Sequence, residues 1–426
     1  MGQTTAFSLR STPRPPMAEG ERMSGELVPA SNALTARWAK EAFDGTTTVL
    51  SGAGVWPLLA FLAAASREPG RAELQRAIGL DAAGADRHAR VALGMLRSAT
   101  AATGAFGVWT RAGLPVEPWW HKIVPVDARG ELTGDTAGDQ ARLDEWVRRN
   151  TSDQLTQMPV QVRRETALVL ATALTVDTRW KEPFQDVPLK PAEGPWAGRA
   201  KEAAGLTHTT PDVNRLTLAE ETPAGPVTLL TVHGEDDVDV ILCMGEPDRR
   251  PGDVLAVAIA ATDGEHRLRR GERLLQRTLA EKAPGLRVDT ALAFEPHTTL
   301  SATTVRFDIA AGHDLLAHAG VFGLETVSTA DGRGHLPGIS RTPLAVGQAA
   351  QDATATFSAE GFKAAAVTAI GAVPTGAPMA EARVLNVTFD RPFGFLAWHR
   401  PTGLVLLAGW VAEPEDWTPP DPASGP

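Results

Sequence analysis

The sequence contains no tyrosine and a single cysteine, Cys243, among its 426 residues. A reaction that needs a tyrosine acid or base is therefore excluded, as are an internal disulfide framework and a multi-cysteine zinc site. Long apolar runs are also missing. The best one, 55–65, is interrupted by Pro57 and is shorter than the roughly 18 residues of a membrane-spanning helix. We therefore expect no membrane association.

Basic residues are outnumbered, with 41 Lys+Arg against 51 Asp+Glu and a net charge of −10. Such a balance disfavours nucleic acid and other polyanions as general partners, so we expect no nucleic-acid binding. Charged side chains also interrupt any apolar region that could act as a secretory signal, namely Arg10, Arg14, Glu19, Glu21 and Arg22. The absence of a recognisable signal favours a cytoplasmic location.

The two ends of the chain differ in composition from the rest. Residues 1–30 are rich in Ser, Thr, Pro and Gly, which predicts a disordered N-terminal arm. Residues 414–426 contain five prolines and predict a disordered tail. No low-complexity linker or repeat interrupts the residues between them, and their apolar content suffices for a large core. We therefore expect a single domain over 31–413.

Apolar periodicity predicts helices and strands mixed without regular alternation. The expected helices lie at about 32–43, 56–66 (with Pro57 in the first turn), 71–78, 140–150 and 272–282. The expected strands lie at about 46–50, 104–110, 165–175, within 215–244, and at 344–357, 383–389, 393–398 and 404–411. This order is typical of an α+β fold rather than a doubly wound one.

Motifs that could bind a cofactor or a metal ion are incomplete. Residues 51–54, Ser-Gly-Ala-Gly, resemble a dinucleotide-binding turn, but Pro57 occupies the third glycine position, which favours a simple tight turn. His313 and His318 are five residues apart and do not share one helical face, so we interpret them as surface or cap histidines. The acidic residues within 235–239 lack the spacing of a calcium loop. We expect neither a metal nor a cofactor.

Catalytic motifs are missing as well. The sequence has no Gly-x-Ser-x-Gly elbow, no His-Glu-x-x-His pair and no phosphate-binding loop. Cys243 lies inside the apolar run 240–244, which indicates a buried and inert thiol. We therefore predict no catalytic residues, and a protein that is not an enzyme.

The most informative segment separates two predicted strands near the C-terminus. One face of strand 344–357 carries mostly small apolar residues with Gln351, whereas the other carries polar residues that include Asp352. Some 25 small, nearly uncharged residues with several glycines and prolines then precede the strand at 383–389. Long irregular loops of this kind are uncommon and are usually functional or disordered, and they are preferred sites of proteolysis.

The start of this loop could also be accepted into a sheet. Alternate residues from Phe362 are mostly small, namely Ala364, Ala366, Thr368, Ile370 and Ala372. Side chains on one face of a strand alternate in this way, so most of the inward positions would need little room. The pattern indicates a loop that can be cut and can then become a strand.

These residues resemble the serpin family, and the resemblance extends over about 31–413. Four segments carry it in the family's order. They are Leu143–Val147 with Thr151 and Leu155; Thr166–Phe184, which ends in Trp180, Pro183 and Phe184; Glu360-Gly361 followed by Ala364-Ala365-Ala366; and Arg391-Pro392-Phe393 followed by Pro401-Thr402-Gly403, Gly409, Val411 and Pro414.

The resemblance implies a bacterial-type serpin with a mixed three-sheet core, about eight to nine helices and an exposed reactive-centre loop at about 359–385. A target serine protease would cut the loop and form an acyl-enzyme, and the freed loop would insert into the central sheet before the ester is hydrolysed. It also implies a monomer without a cofactor. Because many family members are secreted, an extracellular location is the alternative.

The resemblance also assigns site residues. The hinge would comprise Glu360, Gly361, Phe362, Ala364, Ala365, Ala366 and Thr368. The sheet-opening region would comprise Ser51, Thr172, Trp180 and Gln351. Counting from the hinge glycine, Gly361, places the reactive bond at Thr375–Gly376, which would suit an elastase- or subtilisin-like target. Counting back from Pro392 instead gives Met379 or Arg383 as alternatives.

Several residues depart from the inhibitory pattern of the family. Phe362 replaces a small residue or threonine at the first inserting position, and overpacking there can cost about 1–3 kcal/mol. Ala359 replaces an acid of the hinge. Gln351 and Thr172 replace the family's residues in the sheet-opening region, and Gln351 should need a buried hydrogen-bond partner. The alternative function is therefore a non-inhibitory serpin that is cleaved as a substrate or acts as a binding protein.

Overall fold

The computed structural model describes residues 19–151, 153–192, 194–293, 297–362 and 380–419. Within these ranges the α-helices, several of them single turns, are α1 (Glu19–Ala42), α2 (Gly52–Ala65), α3 (Gly70–Ile78), α4 (Ala85–Ser98), α5 (Pro118–Ile123), α6 (Thr136–Asn150), α7 (Pro251–Thr262), α8 (Gly271–Leu274), α9 (Arg277–Ala280) and α10 (Ala319–Phe322). Short 3-10 turns lie at Val126–Ala128, Val213–Arg215 and Leu315–His318. Among these residues, no helix is long and apolar enough to cross a membrane.

The strands of the described residues carry the rest of the regular structure. They are β1 (Thr48–Leu50), β2 (Ala102–Arg111), β3 (Arg129–Leu132), β4 (Leu168–Val176), β5 (Thr178–Arg179), β6 (Gln185–Leu189), β7 (Ala203–Thr210), β8 (Leu216–Ala219), β9 (Val227–His233), β10 (Val238–Met244), β11 (Leu268–Arg270), β12 (Leu286–Ala293), β13 (Thr299–Val305), β14 (Phe307–Asp314), β15 (Gln348–Phe357), β16 (Gly361–Phe362), β17 (Ala380–Thr388), β18 (Phe393–His399) and β19 (Leu404–Val411).

The central sheet has the strand order β3-β2-β4-β15-β16-β5, with β14 also paired to β15. Its two middle strands, β4 and β15, run parallel and are hydrogen-bonded directly to each other from Gln348 opposite Val169 to Thr354 opposite Thr175. Every residue of β4 is buried, as expected for a strand with both faces covered. The sheet is therefore continuous across its middle.

Two further sheets complete the fold. The back sheet has the order β1-β19-β18-β10-β9-β8-β11, and the small sheet has the order β12-β17-β13-β7-β6. The C-terminal hairpin β18–β19 provides two inner strands of the back sheet, which are buried along almost their whole length. Cys243 lies in β10 of that sheet, and its thiol is fully buried. Burial raises the pKa of this thiol, in agreement with the inert role predicted.

A large apolar core joins the back sheet to the central sheet and contains most of α2. Thirteen of the 14 helical residues of α2 are buried, so this helix has no polar face. The Cβ of any side chain at Gly52 would lie 2.8 Å from the backbone nitrogen of Thr35, which shows how closely α1 and α2 approach. A smaller apolar cluster lies between α6 and the outer face of the central sheet.

The expected N-terminal arm is too long. Helix α1 begins at Glu19, and Met23, Leu27 and Val28 are buried on its inner side. The composition of 19–30 hid these apolar residues, which recur at helical spacing among polar ones. Residues 1–18 lie outside the described residues.

The expected C-terminal tail also begins too early. The Trp417 N–H donates to the Glu202 carbonyl at 2.7 Å, and Asp416 forms a β-bridge with Ala203 and an ion pair with Arg199 at 2.8 Å. These contacts anchor the chain as far as Trp417 despite its prolines. Residues 420–426 lie outside the described residues.

Two helix predictions need correction. Helix α2 begins at Gly52 rather than near Trp56, because the Ser51 hydroxyl caps it by accepting from the Gly54 N–H, so Pro57 lies in the second turn. The helix expected over 272–282 is two separate turns, α8 and α9. The remaining predicted elements are present, and apart from the early start of α1 their boundaries differ by a few residues.

Candidate functional site: the sheet-opening region and the hinge

Gln351 and Ser51 join the central sheet to the start of α2. The Oε1 atom of Gln351 accepts from the Ser51 backbone N–H at 2.7 Å, and its Nε2 donates to the Ser51 carbonyl at 2.5 Å. The Ser51 hydroxyl in turn donates to the Leu406 carbonyl of β19 at 2.6 Å. We call this group the Ser51–Gln351 clamp. The prediction that Gln351 needs a buried partner is confirmed.

Small residues make room for the clamp. A Cβ added to Gly54 would lie 3.3 Å from both Gln351 Nε2 and Ser51 Oγ, closer than most side chains tolerate. Thr172 lies opposite Gln351 in the β4–β15 ladder and is also buried, but its hydroxyl has no hydrogen-bond partner among the described residues. The sheet-opening region therefore contains one satisfied amide and one unsatisfied hydroxyl at the same level.

His313 also belongs to the sheet-opening region. The sequence had suggested a surface or cap histidine instead. His313 lies opposite Gln351 on β14, donates from Nε2 to the Val49 carbonyl at 2.8 Å, and packs edge-on against Trp38 at 5.2 Å between ring centroids. Burial lowers the pKa of this imidazole. A sequence signal existed, because His313 continues the alternation of inward apolar residues from Phe307 and Ile309 along β14.

The chain makes a tight turn between β15 and β16, which we call the hinge turn (Ser358–Gly361). The Ser358 N–H and its hydroxyl both donate to the Gly361 carbonyl, at 2.9 and 3.0 Å. Trp180 covers the turn: its indole N–H donates to the Ser358 carbonyl at 3.0 Å, and its backbone N–H donates to the Glu360 carbonyl at 2.8 Å. The Phe184 N–H donates to the carbonyl of Ala359 at 2.7 Å.

Phe362 follows the hinge turn and is already part of the central sheet. It pairs with Phe357 of β15 on one side and with Thr178 of β5 on the other, both antiparallel. Its ring is fully buried and meets Phe395 of the back sheet at 6.0 Å between centroids. The phenyl ring that was expected to overpack the sheet is therefore accommodated within it.

Asp352 is the most unusual side chain of the central sheet. It is fully buried, and neither carboxyl oxygen has a hydrogen-bond partner among the described residues. A Cβ at Gly312, its partner on β14, would lie 3.1 Å from Asp352 Oδ1 and 3.0 Å from Pro159, which shows that the segment after α6 covers this position. Burial raises the pKa of Asp352 to about 7. The sequence predicted a polar face here, but the structure buries it.

The structure brings most of the described site residues into two groups. Ser51, Thr172 and Gln351 lie together at the sheet-opening region, whereas Trp180 lies with Glu360, Gly361 and Phe362 at the hinge turn. The remaining residues expected in the hinge and the reactive bond lie outside the described residues, namely Ala364, Ala365, Ala366, Thr368, Thr375, Gly376 and Met379.

Arg383, the third possible cleavage position, lies within β17. It pairs with Thr290 of β12, and its guanidinium donates to the Leu275 carbonyl. Proteases bind unpaired extended backbone at exposed loops, so a paired strand position disfavours cleavage after Arg383.

One network among the described residues has the composition of a catalytic triad. His399 contacts the Thr402 hydroxyl through Nδ1 at 2.7 Å and Asp237 through Nε2 at 3.3 Å. The carboxylate of Asp237 also accepts the Thr100 N–H at 2.8 Å, and the Thr402 hydroxyl accepts the Leu404 N–H at 3.3 Å. Because the Thr402 hydroxyl and the Asp237 carboxylate also bind these backbone N–H groups, the network stabilises the β18–β19 hairpin and its neighbours, and we interpret it as structural. No group of three or more potential metal ligands occurs in the described ranges.

The comparisons with known proteins agree with this architecture. The family model described as Serpin (serine protease inhibitor) matches residues 302–414. A comparison with curated proteins gives no match. Serpin48 of the insect Tenebrio molitor aligns with a TM-score of 0.68 at 17% identity, over 93% of this chain and 100% of its own. Human thyroxine-binding globulin complexed with thyroxine aligns at 0.69 and 13%, over 94% and 100%. Human glycosylated kallistatin aligns at 0.67 and 15%, over 92% and 99%.

Two mixed sheets and one antiparallel sheet, with a directly paired set of parallel strands at the centre and a hinge turn before the segment that precedes β17, define the serpin fold predicted from the sequence. The C-terminal residues match the family in sequence and the whole described chain matches it in fold. The chain therefore has the serpin fold, and its residues 302–414 match the serpin family model.

Proposed function

We propose that the protein inhibits a serine protease as a suicide substrate. The observation that carries this proposal is the geometry of the central sheet. Strands β4 and β15 are parallel and paired directly, and β16 already lies antiparallel to β15 at their end. An antiparallel strand can separate two parallel strands and hydrogen-bond to both of them. The closed sheet is thus arranged to accept one more strand.

The strand registers support the same path. Phe362 faces Phe357 on one side and Thr178 on the other. Six residues beyond Phe362 is Thr368, and six residues before Phe357 and Thr178 are Gln351 and Thr172, which already face each other. A strand that continued from β16 would therefore keep every residue of β4 level with its present partner on β15. Thr368 would arrive beside the unsatisfied Thr172 hydroxyl.

The chemistry of the inhibited state follows from this path. The protease serine would attack the carbonyl carbon of the residue before the reactive bond, form an ester, and release the following residue with a new amino terminus. We propose Thr375–Gly376 as that bond, with Met379 as the alternative, and an elastase- or subtilisin-like protease as the target. Insertion from Phe362 onwards would then displace the bound protease before the ester is hydrolysed. The inhibitor itself supplies no catalytic group.

Other attributes complete the proposal. We propose that the protein acts as a monomer of bacterial type. We propose a cytoplasmic location, with an extracellular location as the alternative that the serpin family suggests. Fractionation of the native host with an antibody against the protein would distinguish the two locations.

The proposal is tested by incubating the protein with subtilisin and with pancreatic elastase and separating the products by denaturing electrophoresis. We expect a band at the sum of the two masses less the mass of the C-terminal fragment that cleavage releases, because the ester is covalent. Protease inactivated at its serine serves as the control and should give no such band. Mass spectrometry of the released peptide would identify the reactive bond. Complete cleavage without any complex across a broad panel of serine proteases would reject the inhibitory function.

The burial of Phe362 favours a second candidate, a non-inhibitory serpin. A ring held between β15, β5 and Phe395 anchors the hinge, so the rest of the loop could be cut without further insertion. The structural neighbour complexed with thyroxine shows that this fold also carries ligand-binding proteins. A Phe362→Thr variant that gains a covalent complex, where the original protein gives only cleavage, would assign the lack of inhibition to this anchor. If the original protein and the Phe362→Thr variant are both cleaved without forming a complex, the buried Phe362 ring is not the cause of the missing inhibition.

A further inference from the structure

Arginine is concentrated in one short segment of this acidic protein. Five arginines and one glutamate lie within 267–277, although the whole chain has a net charge of −10. The segment includes β11, which is the edge strand of the back sheet, and the turns α8 and α9. The local charge therefore has the opposite sign to the charge of the protein as a whole.

Most of these guanidinium groups are not neutralised within the described structure. Arg269 approaches Glu220 at 3.3 Å, and Arg277 approaches Glu281 at 3.0 Å. Arg267, Arg270 and Arg273 are exposed, and none of them has an ion pair or a side-chain hydrogen bond with another described residue. Like charges held close together repel one another, so this arrangement favours the uptake of an anion.

The arginines surround a concave surface rather than a flat one. A depression of about 630 Å³ is lined by Arg267, Arg269, Arg270, Arg273, Gln276 and Thr278, which we call the arginine basin. Glu272 also borders it, but this carboxylate accepts a hydrogen bond from Asn214 at 3.1 Å. The volume lies within the range of about 300–1,000 Å³ that is typical of small-molecule sites.

We propose that the arginine basin binds a small anion that carries several phosphate groups. A guanidinium group donates two parallel hydrogen bonds to a phosphate and stays charged at any physiological pH, so several of them at one depression match several phosphates. A ligand with a single carboxylate would neutralise only part of the positive charge of the basin. Duplex nucleic acid fits less well, because the acidic remainder of the protein would repel a long polyanion.

The probe for the direct test is inorganic tripolyphosphate, titrated into the full-length protein by isothermal calorimetry at low and high salt. We expect saturable binding at a 1:1 ratio, and an affinity that falls as the salt concentration rises, because ion pairs with phosphate release counterions. The double variant Arg270→Gln/Arg273→Gln should bind about tenfold to a hundredfold more weakly. Arg270→Lys/Arg273→Lys keeps the charge but loses the bidentate geometry. Its affinity for tripolyphosphate should therefore lie between those of the original protein and the glutamine double variant.

The matched control is Arg22→Gln/Arg76→Gln, which removes the same charge from exposed positions on α1 and α3. This control should bind like the original protein, and the thermal midpoint of each variant reports whether the fold is kept. Unaltered affinity in the folded Arg270→Gln/Arg273→Gln variant would overturn the proposal, as would the absence of saturable binding at low salt. Sucrose octasulfate and a short DNA duplex serve as comparison ligands. If sucrose octasulfate or the DNA duplex binds more tightly than tripolyphosphate, and this binding is lost in Arg270→Gln/Arg273→Gln, then phosphate is not the preferred ligand group of the basin.

Discussion

Gln351 acts on the backbone of a distant residue rather than on another side chain. Its amide satisfies both the N–H and the carbonyl of Ser51, 300 positions earlier in the sequence. The Ser51 hydroxyl then bonds to Leu406 of the back sheet. One side chain of β15 therefore connects the central sheet to α2 and, through Ser51, to β19.

We predict that Gln351→Ala lowers the free energy of unfolding by about 1–3 kcal/mol, because the buried Ser51 N–H loses its partner and the Ser51 carbonyl keeps only its bond from the Val55 N–H. Gln348→Ala on the same strand is the control, since its side chain makes an exposed bond to Gln161 at 3.0 Å. Urea unfolding of both variants measures the difference. Equal midpoints for the two variants would contradict a structural role for the Ser51–Gln351 clamp.

Asp352 predicts a specific dependence of stability on pH. Because burial raises the pKa of this carboxyl from 3.8 to about 7, its neutral form is favoured in the folded protein. The contribution of Asp352 to the free energy of unfolding is therefore greatest below about pH 4. This contribution decreases as the pH rises and is lost once the pH has passed about 7. The whole difference corresponds to at most about 4 kcal/mol.

Asp352→Asn should flatten the pH dependence of the unfolding midpoint between about pH 4 and 7, since the amide stays neutral. Asp248→Asn is the control, because Asp248 is 73% exposed. Thermal unfolding followed at half-unit pH steps provides the measurement. A slope that is unchanged in Asp352→Asn would show that this carboxyl does not titrate between the two states.

At the scale of elements, α1 shows what the sequence concealed. Its first three turns have a polar composition with Pro29, yet Met23, Leu27 and Val28 lie on the inner side of one continuous helix. An average over composition does not reveal apolar side chains that recur about once per helical turn. It is the packing of these side chains against the core that stabilises the helix.

We predict that Leu27→Ala destabilises the protein by about 2–5 kcal/mol, because Leu27 is 1% exposed and its loss leaves a cavity. Ser24→Ala, about one turn earlier on the same helix, should change the stability by less than about 0.5 kcal/mol, because Ser24 is only half-buried and its hydroxyl makes an exposed bond to the Gly20 carbonyl. Chemical unfolding of both variants measures the effect. If both changes were neutral, residues 19–30 would contribute nothing to the fold, as the sequence alone suggested.

Strand β15 shows both the strength and the limit of sequence reasoning. Its alternation correctly identified the strand and placed Gln351 on the inner face. The opposite face looked polar enough for solvent, because Asp352 and Thr354 lie on it. Whether that face is covered depends on α6 and the segment after it, which are distant in sequence, so no local pattern could predict the burial of Asp352.

At the scale of the molecule, the sequence predicted the fold class and the sheets because the hydrophobic strands and the C-terminal hairpin are strongly patterned. It also assigned Ser51, Thr172, Trp180 and Gln351 to the sheet-opening region. The structure brings Ser51, Thr172 and Gln351 together but places Trp180 at the hinge turn. The sequence did not identify His313, because the residue was judged by its spacing from His318 and not by its place in the inward alternation of β14. The structure adds the contacts between elements, which decide what each residue does.

The closed central sheet predicts how the whole molecule responds to a cut in its loop. Cleavage within 363–379 by subtilisin should raise the thermal midpoint by about 10–20 °C, since a new strand would add hydrogen bonds to both β4 and β15. Calorimetry of the cleaved and uncleaved protein measures the shift. Thr368→Arg, which would place a long charged side chain level with Gln351, should be cleaved without a comparable rise. An unchanged midpoint after complete cleavage of the original protein would show that no strand inserts.

The buried Cys243 has a practical consequence for optical experiments. Because the protein has one thiol and that thiol is sealed inside β10, a cysteine introduced on the surface would be the one site open to a maleimide dye under native conditions. The lack of tyrosine leaves the 11 tryptophans as the main source of intrinsic fluorescence. A dye at a single position of the loop, read against the combined emission of these tryptophans, would then report the movement of the loop in real time.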